Sequence, residues 1–127
     1  MRLRITTLAI MLTFAGAAQA EIPSAPDAIV SRALVSGKPT VIDLGARTCI
    51  PCKKMAPILE SLSKEYRGKA SVLFIDVQEN QPAADKFRIQ MIPTQIFFNA
   101  QGKEVKRHIG FMEKTEIVNA LKAAGLK

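Results

Sequence analysis

Short apolar runs alternate with amphipathic segments along the chain, and this alternation predicts its secondary structure. Residues 40–44, TVIDL, form an apolar run typical of a buried strand. Two further runs lie in residues 70–77 and 94–99, and each also predicts a strand. The polar turn at 99–102, NAQG, joins the last of these to residues 104–109, which predicts a β-hairpin. The chain therefore contains four predicted strands.

Helical periodicity separates these strands. It is clearest after residue 52, where apolar side chains recur on one helix face, at Met55, Ile58, Leu59, Leu62 and Tyr66. Shorter helices are predicted from Asp27 to Ser36, with Ser24 and Asp27 as capping candidates, from Asn80 to Phe87, and from Ile117 to Gly125. The resulting order of elements predicts an α/β fold, a single domain in which helices flank a mixed central sheet.

The first twenty residues have the pattern of a secretory signal peptide rather than of a folded element. Two arginines precede the uncharged apolar run 5–17, and residues 18–20, AQA, have the small-x-small form that signal peptidase cleaves. The apolar run is shorter than the ~20 residues that a membrane-spanning helix needs, which disfavours an uncleaved anchor. We therefore expect residues 1–20 to be removed and residues 21–127 to form the exported domain.

The composition and charge of the chain indicate which classes of molecule it could bind. The chain has 127 residues, of which 48% are hydrophobic and 23% charged, as in globular proteins. Its formal net charge is +7, but the basic residues are not interleaved with aromatic ones into a stripe. We therefore expect no nucleic-acid partner.

The chain has only two cysteines, which are separated by Ile50 and Pro51. Cys49 follows the first predicted strand at the start of the long helix, where backbone N–H groups and the helix dipole stabilise a thiolate. Cys52 comes one turn later, close enough to close a disulfide and turned toward the helix body. This spacing predicts a redox couple in which Cys49 is the exposed nucleophile and Cys52 resolves the mixed disulfide.

Three other interpretations of the cysteine pair are weaker. A disulfide across two residues closes so small a loop that it would stabilise the fold little. Zinc needs four ligands, and the only histidine, His108, lies far away in sequence. Covalent haem attachment requires a histidine directly after the second cysteine, where this chain has Lys53. We therefore expect no bound metal and no cofactor.

The residues around the cysteines are part of a longer pattern. It comprises the strand 41–44, the motif Cys49-Ile50-Pro51-Cys52, Lys53, Pro57, the segment Ile92-Pro93-Thr94 and Gly110. This pattern resembles the thioredoxin family. The resemblance covers nearly all of residues 21–127 and implies a thioredoxin fold.

The same resemblance implies roles for individual residues. Pro93 is similar to the family's cis-proline, and the segment Ile92-Pro93-Thr94 would bind an extended substrate beside Ile50 and Pro51. Asp43 is similar to the family's buried acid, which moves a proton when Cys52 attacks. Burial disfavours the charged form of a carboxyl, so we expect a raised pKa for Asp43.

The chain also departs from the family pattern. Thr48 and Gly45 stand where the family usually has aromatic residues, and the chain has no tryptophan. We therefore expect substrate contacts around Cys49 to differ from those of a cytoplasmic thioredoxin. A lysine frequent in the family is missing from residues 72–74, so we expect proton transfer to rest on Asp43 alone.

The residues between the cysteines bear on the direction of electron flow. Pro51 is similar to the reducing members of the family, whereas strongly oxidising relatives carry a histidine there. We therefore predict a periplasmic protein-disulfide reductase, with apocytochrome c among its candidate substrates. The resemblance implies re-reduction by a membrane electron-donor protein, and we expect the reductase to be a monomer.

Two alternatives stay open from the sequence. The protein could be a disulfide oxidase or isomerase. It could also handle Cu(I), which soft thiolate and thioether ligands favour, through the cysteines with Met91, Met55 and Met112. The basic residues Arg47 and Lys53, together with Lys54, could stabilise the Cys49 thiolate, receive an acidic partner, or form a solvated face.

Overall fold

The structure is a computed structural model that describes residues 21–127. The predicted signal peptide therefore lies outside the described residues. The elements are α1 (Asp27–Leu34), β1 (Thr40–Gly45), α2 (Ile50–Glu65), β2 (Ser71–Asp76), α3 (Gln81–Lys86), β3 (Thr94–Phe98), β4 (Glu104–Ile109) and α4 (Lys114–Ala123). All eight predicted elements are present in the predicted order, which confirms the α/β fold.

The four strands form one mixed sheet in the order β2-β1-β3-β4. Strand β1 runs parallel to β2 and antiparallel to β3, and β3 and β4 form the predicted antiparallel hairpin. The carboxyl ends of β1 and β4 and the amino end of β3 consequently meet at one edge of the sheet. The start of α2, Pro93 and Gly110 all lie at this edge.

Helices cover both faces of the sheet. On one face, Val41 and Phe97 pack with apolar residues of α2 and α4. On the other face, Ile42 and Ile96 pack with Val30 of α1 and with α3. Because both faces are covered, the central strands β1 and β3 are buried along their whole length. This explains why consecutive apolar residues, Val41-Ile42 in β1 and Ile96-Phe97-Phe98 in β3, replace a strict alternation of apolar and polar residues.

The predicted helix caps are right for α3 and wrong for α1. The Asn80 side chain accepts a hydrogen bond from the Ala83 N–H, as a capping residue does. At α1 the N-cap is Pro26, which makes no side-chain bond. Ser24 instead forms a bridge to Phe74 and accepts a hydrogen bond from the Asp76 N–H at 2.9 Å. The segment before α1 therefore extends the edge of β2 rather than capping a helix.

The helix α2 carries the cysteine motif at its amino end. It has 16 residues and continues through Pro57, which is exposed. Its apolar face contributes Met55, Leu59 and Leu62 to the core, as the periodicity predicts. Within residues 21–127 no helix is both long enough and apolar enough to cross a membrane.

Candidate active site

The two cysteines form a disulfide at the amino end of α2. Cys49 is the N-cap residue and is half-buried, whereas Cys52 is only 5% exposed. The Cys49 Sγ accepts a hydrogen bond from the Cys52 N–H at 3.4 Å. This is one of the N–H groups that a helix leaves without an internal partner, and it favours negative charge on the sulfur. The pair therefore has one accessible and one covered sulfur.

Gly45 lies directly beneath the covered sulfur. A Cβ at this position would lie 2.9 Å from the Cys52 Sγ and 3.5 Å from the Phe74 ring. A larger side chain would therefore displace Cys52 or the sheet. Gly45 stands where the family usually has an aromatic residue. At this position α2 comes so close to β1 that a side chain would meet the Cys52 sulfur.

The segment Ile92-Pro93-Thr94 lies at the same edge of the sheet as the disulfide. The Ile92–Pro93 peptide bond is cis. The Gly110 N–H donates to the Pro93 carbonyl at 2.8 Å, and the Thr94 hydroxyl donates to the Met91 carbonyl at 2.6 Å. Thr94 is buried, and its hydrogen bond to Met91 stabilises the loop before β3. Ile92 is half-buried.

Exposed apolar side chains surround this edge. Ile50 is 70% exposed, Met91 is 62% exposed and Phe111 is 37% exposed. The sequence predicts that Ile50 contacts a substrate, and this prediction stays untested. The sequence assigns no site role to Phe111, whose position directly after Gly110 is its one local signal. We call Ile50, Met91 and Phe111 the apolar rim.

Asp43 is fully buried in β1 on the face that α2 covers. Its Oδ1 accepts a hydrogen bond from the Gln95 Nε2 at 2.8 Å, and its Oδ2 has no hydrogen-bond partner among the described residues. Burial raises the pKa of Asp43 to about 6, and the Gln95 hydrogen bond opposes this increase. The predicted burial and raised pKa are confirmed. That proton transfer rests on Asp43 alone stays a prediction, and the structure adds that a polar side chain, Gln95, bonds to its carboxyl.

The basic residues near the cysteines divide into two groups. Arg47 forms a salt bridge with Glu21 at 2.8 Å, and its guanidinium lies 4.6 Å from the centre of the Phe74 ring. It is therefore engaged with the segment before α1. Lys53 and Lys54 are exposed and form no salt bridge with another described residue.

A buried aspartate fixes the loop between β1 and α2. Asp76 is 2% exposed, and its carboxylate accepts hydrogen bonds from the backbone N–H groups of Arg47, Gln78 and Glu79. The bond to Arg47 crosses from β2 to the loop that carries Cys49. Sequence reasoning missed Asp76, whose only local signal is an acidic residue at the end of an apolar run.

Two of the three methionines considered as copper ligands belong to the core. Met55 and Met112 are buried, and the Met112 N–H donates to the Met55 Sδ at 3.4 Å. His108 Nε2 lies 3.1 Å from the Phe111 carbonyl. Residues 21–127 contain no group of three or more histidine, cysteine or acidic side chains placed to hold a metal.

Comparison with known proteins agrees with this geometry. The thioredoxin family model matches residues 23–123. A thioredoxin of Staphylococcus aureus is 41% identical over 81 residues, covering 64% of this chain and 77% of the relative. The thioredoxin of Staphylococcus haemolyticus is 42% identical over the same length.

Solved structures show the same fold. Chloroplastic thioredoxin z has a TM-score of 0.70 and 26% identity, covering 83% of this chain and 95% of its own. A mutant thioredoxin from Halobacterium salinarum has a TM-score of 0.70 over 80% of this chain and 87% of its own, at 24% identity. The chain belongs to the thioredoxin family and is a thiol–disulfide oxidoreductase of the thioredoxin type, with the redox-active disulfide at Cys49 and Cys52.

Proposed function

We propose that this protein reduces disulfides of exported proteins in the periplasm by dithiol exchange. The dithiol exchange is carried by one observation, the unequal exposure of the two cysteines at the amino end of α2. Cys49 is accessible and accepts an N–H at its sulfur, while Cys52 is covered by the sheet at Gly45. A substrate can therefore reach Cys49 first, and Cys52 can react only within the mixed disulfide.

The reaction then has two exchange steps. The Cys49 thiolate attacks one sulfur of the substrate disulfide, and the other substrate sulfur leaves as a thiolate that takes a proton from water. Cys52 loses its proton to Asp43 and attacks the Cys49 sulfur, which expels the second substrate sulfur as a thiolate. This thiolate takes a proton from water, and Asp43 returns its own proton to water before the next cycle. Two electrons pass to the substrate, and Cys49 and Cys52 end as the disulfide.

The edge of the sheet supplies a binding surface for this substrate. The apolar rim would contact apolar residues that flank the substrate disulfide, and the backbone at Ile92 would pair with an extended segment next to Pro93. The exposed charges of Lys53 and Lys54 favour substrates with acidic residues nearby. Apocytochrome c is one candidate client, and a membrane electron-donor protein would reduce the disulfide again after each cycle.

The reducing direction is supported by the residues between the cysteines. Ile50 and Pro51 carry no charge that would stabilise a thiolate more than the disulfide, and the ring of His108 lies against the Phe111 carbonyl. We expect the reduction potential of residues 21–127 to be about −250 mV or lower, in the range of reductases. Equilibration in dithiothreitol buffers followed by thiol alkylation measures it, since the chain has no tryptophan for a fluorescence readout. A value of about −150 mV or higher would identify an oxidant or isomerase instead.

The location is supported by the signal-peptide pattern of residues 1–20. We expect the full chain, expressed in a Gram-negative bacterium, to accumulate in the periplasmic fraction with Glu21 as its first residue. Mass spectrometry of the purified protein measures this directly. The matched control is Ala18→Asp, which removes the small-x-small site and should leave the chain uncleaved. A wild-type chain that keeps residues 1–20 in the cytoplasm would contradict the proposed location.

A further inference from the structure

Polar side chains form a row across the sheet on the face that α2 covers. Asp43 of β1 pairs in register with Gln95 of β3, and Gln95 pairs with His108 of β4. Residues opposite each other on antiparallel strands point to the same face, with Cβ atoms about 4.5–5.5 Å apart. Asp43 and Gln95 are fully buried and His108 is half-buried. The row therefore runs from the interior toward the surface.

Gln95 occupies a position that packing alone would give to an apolar residue. It is fully buried, and the next inward-facing residue of β3 on the same face is Phe97, which belongs to the core. Its Nε2 bonds to Asp43, but its Oε1 has no partner among the described residues. A buried polar atom without a partner destabilises the folded state, so this side chain needs a reason other than stability.

The covered cysteine lies close to the same row. The Cys52 Sγ approaches β1 at Gly45, two residues after Asp43 and on the same face of the strand. The Gln95 amide occupies Oδ1 of Asp43, which leaves Oδ2 as the free oxygen of the carboxyl. The hydrogen bond from Gln95 thus determines that Oδ2 is the carboxyl oxygen available to accept a proton.

We propose that Gln95 is a positioning residue for disulfide exchange, holding the Asp43 carboxyl so that its free oxygen accepts the proton of Cys52. The proposal rests on the proposed role of Asp43 as proton acceptor and is independent of the direction of electron flow and of the compartment. Gln95 takes part in no bond change itself. Gln95 approaches Asp43 from β3, whereas Phe74, the β2 residue in register with Asp43, has no polar side-chain atom.

The same hydrogen bond also favours the charged carboxylate. Burial alone would raise the pKa of Asp43 further, and the amide donor holds it at about 6, so that the carboxylate is available as a base near neutral pH. The other titratable groups facing this site are Cys52 from α2 and His108 from β4, while Phe74 on β2 carries none. Loss of the Gln95 N–H donor should therefore raise the pKa of Asp43 further.

The variant Gln95→Met tests the proposal, because it keeps a similar length and volume without the N–H donor. We expect the rate of reduction of a protein disulfide such as that of insulin to fall about tenfold at pH 7. We expect the midpoint of the pH dependence of this reduction rate to rise by about one pH unit. Attack by Cys49 on a small aromatic disulfide, measured in a Cys52→Ser background, should stay unchanged. Gln95→Leu, a second apolar variant, should give the same pattern if Gln95→Met folds poorly.

A double-mutant cycle separates positioning from packing. In an Asp43→Asn background, Gln95→Met should cause no further loss of rate, because the group that Gln95 orients is already gone. An unchanged pH midpoint in Gln95→Met would overturn the proposal, and so would an equal loss in both backgrounds. If Asp43→Asn itself changed neither rate nor midpoint, the roles of Asp43 and Gln95 would both be wrong. Absence of disulfide reduction by the wild type would instead contradict the proposed function.

Discussion

Replacement of Cys52 by serine is expected to trap mixed disulfides with client proteins, whereas replacement of Cys49 is expected to trap none. The accessible Cys49 sulfur can still attack a substrate in Cys52→Ser, but the second exchange step has lost its nucleophile. In Cys49→Ser the remaining thiol is only 5% exposed in the disulfide-bonded fold and lies against Gly45. A substrate disulfide cannot approach it without opening the amino end of α2.

Non-reducing gel electrophoresis of affinity-tagged variants, followed by mass spectrometry of the captured chains, measures the trapped complexes. Both variants should reduce insulin at less than about one hundredth of the wild-type rate, since each lacks one half of the exchange. The double variant Cys49→Ser/Cys52→Ser is the matched control for non-covalent capture. Equal trapping by the two single variants would contradict the assigned order of attack.

Asp43→Asn is expected to make the protein more stable at neutral pH and slower in exchange. The pKa of Asp43 lies at about 6 in the folded state, above the ordinary value of 3.8. The folded chain therefore binds the proton more tightly than the unfolded chain, so stability falls as the pH rises from about 4 through about 6. The interval between the two pKa values corresponds to about 3 kcal/mol, all of which is lost above about pH 7. Asparagine stays neutral and avoids this loss.

Urea unfolding of the disulfide form at pH values between 4 and 8 measures the effect. The difference in the free energy of unfolding between Asp43→Asn and wild type should be small near pH 4 and should approach about 3 kcal/mol at pH 8. Disulfide reduction by the variant should be slower at pH 7, because the proposed proton acceptor of Cys52 is gone. A pH-independent difference in stability would show that burial of the charge is not its cause. Asp85→Asn, a change at an exposed acid of α3, is the matched control.

The higher stability and the slower exchange expected for Asp43→Asn have a common physical basis. Asp43 destabilises the fold at the pH where it would act as the proposed base, because a buried carboxylate has lost its hydration. The single hydrogen bond from Gln95 offsets part of this cost. Stability and exchange rate should consequently change in opposite directions at Asp43, as is common for residues in active sites.

The sequence by itself determined the elements of this protein and the identity of its reactive groups. Buried strands such as 40–44 and the amphipathic face of α2 follow from local periodicity, which depends only on neighbouring residues. Because the start of the long helix is also predicted from local sequence, the spacing of Cys49 and Cys52 places them about one helical turn apart. The sequence also predicts the burial of Asp43, because a lone acid lies within an otherwise apolar strand run of an α/β fold.

Only the tertiary structure decided which distant residues surround those groups. Gln95 lies 52 positions from Asp43 and looks in the sequence like an ordinary strand residue. Its hydrogen bond to Asp43 depends on the register of β1 against β3, and a shift of one residue would have turned its side chain to the opposite face. Ser24 was mistaken for a helix cap for a related reason, because its partner is the edge of β2 and not the helix beside it. Local patterns specify helices, strands and reactive side chains, whereas strand order and register specify the hydrogen bonds between them.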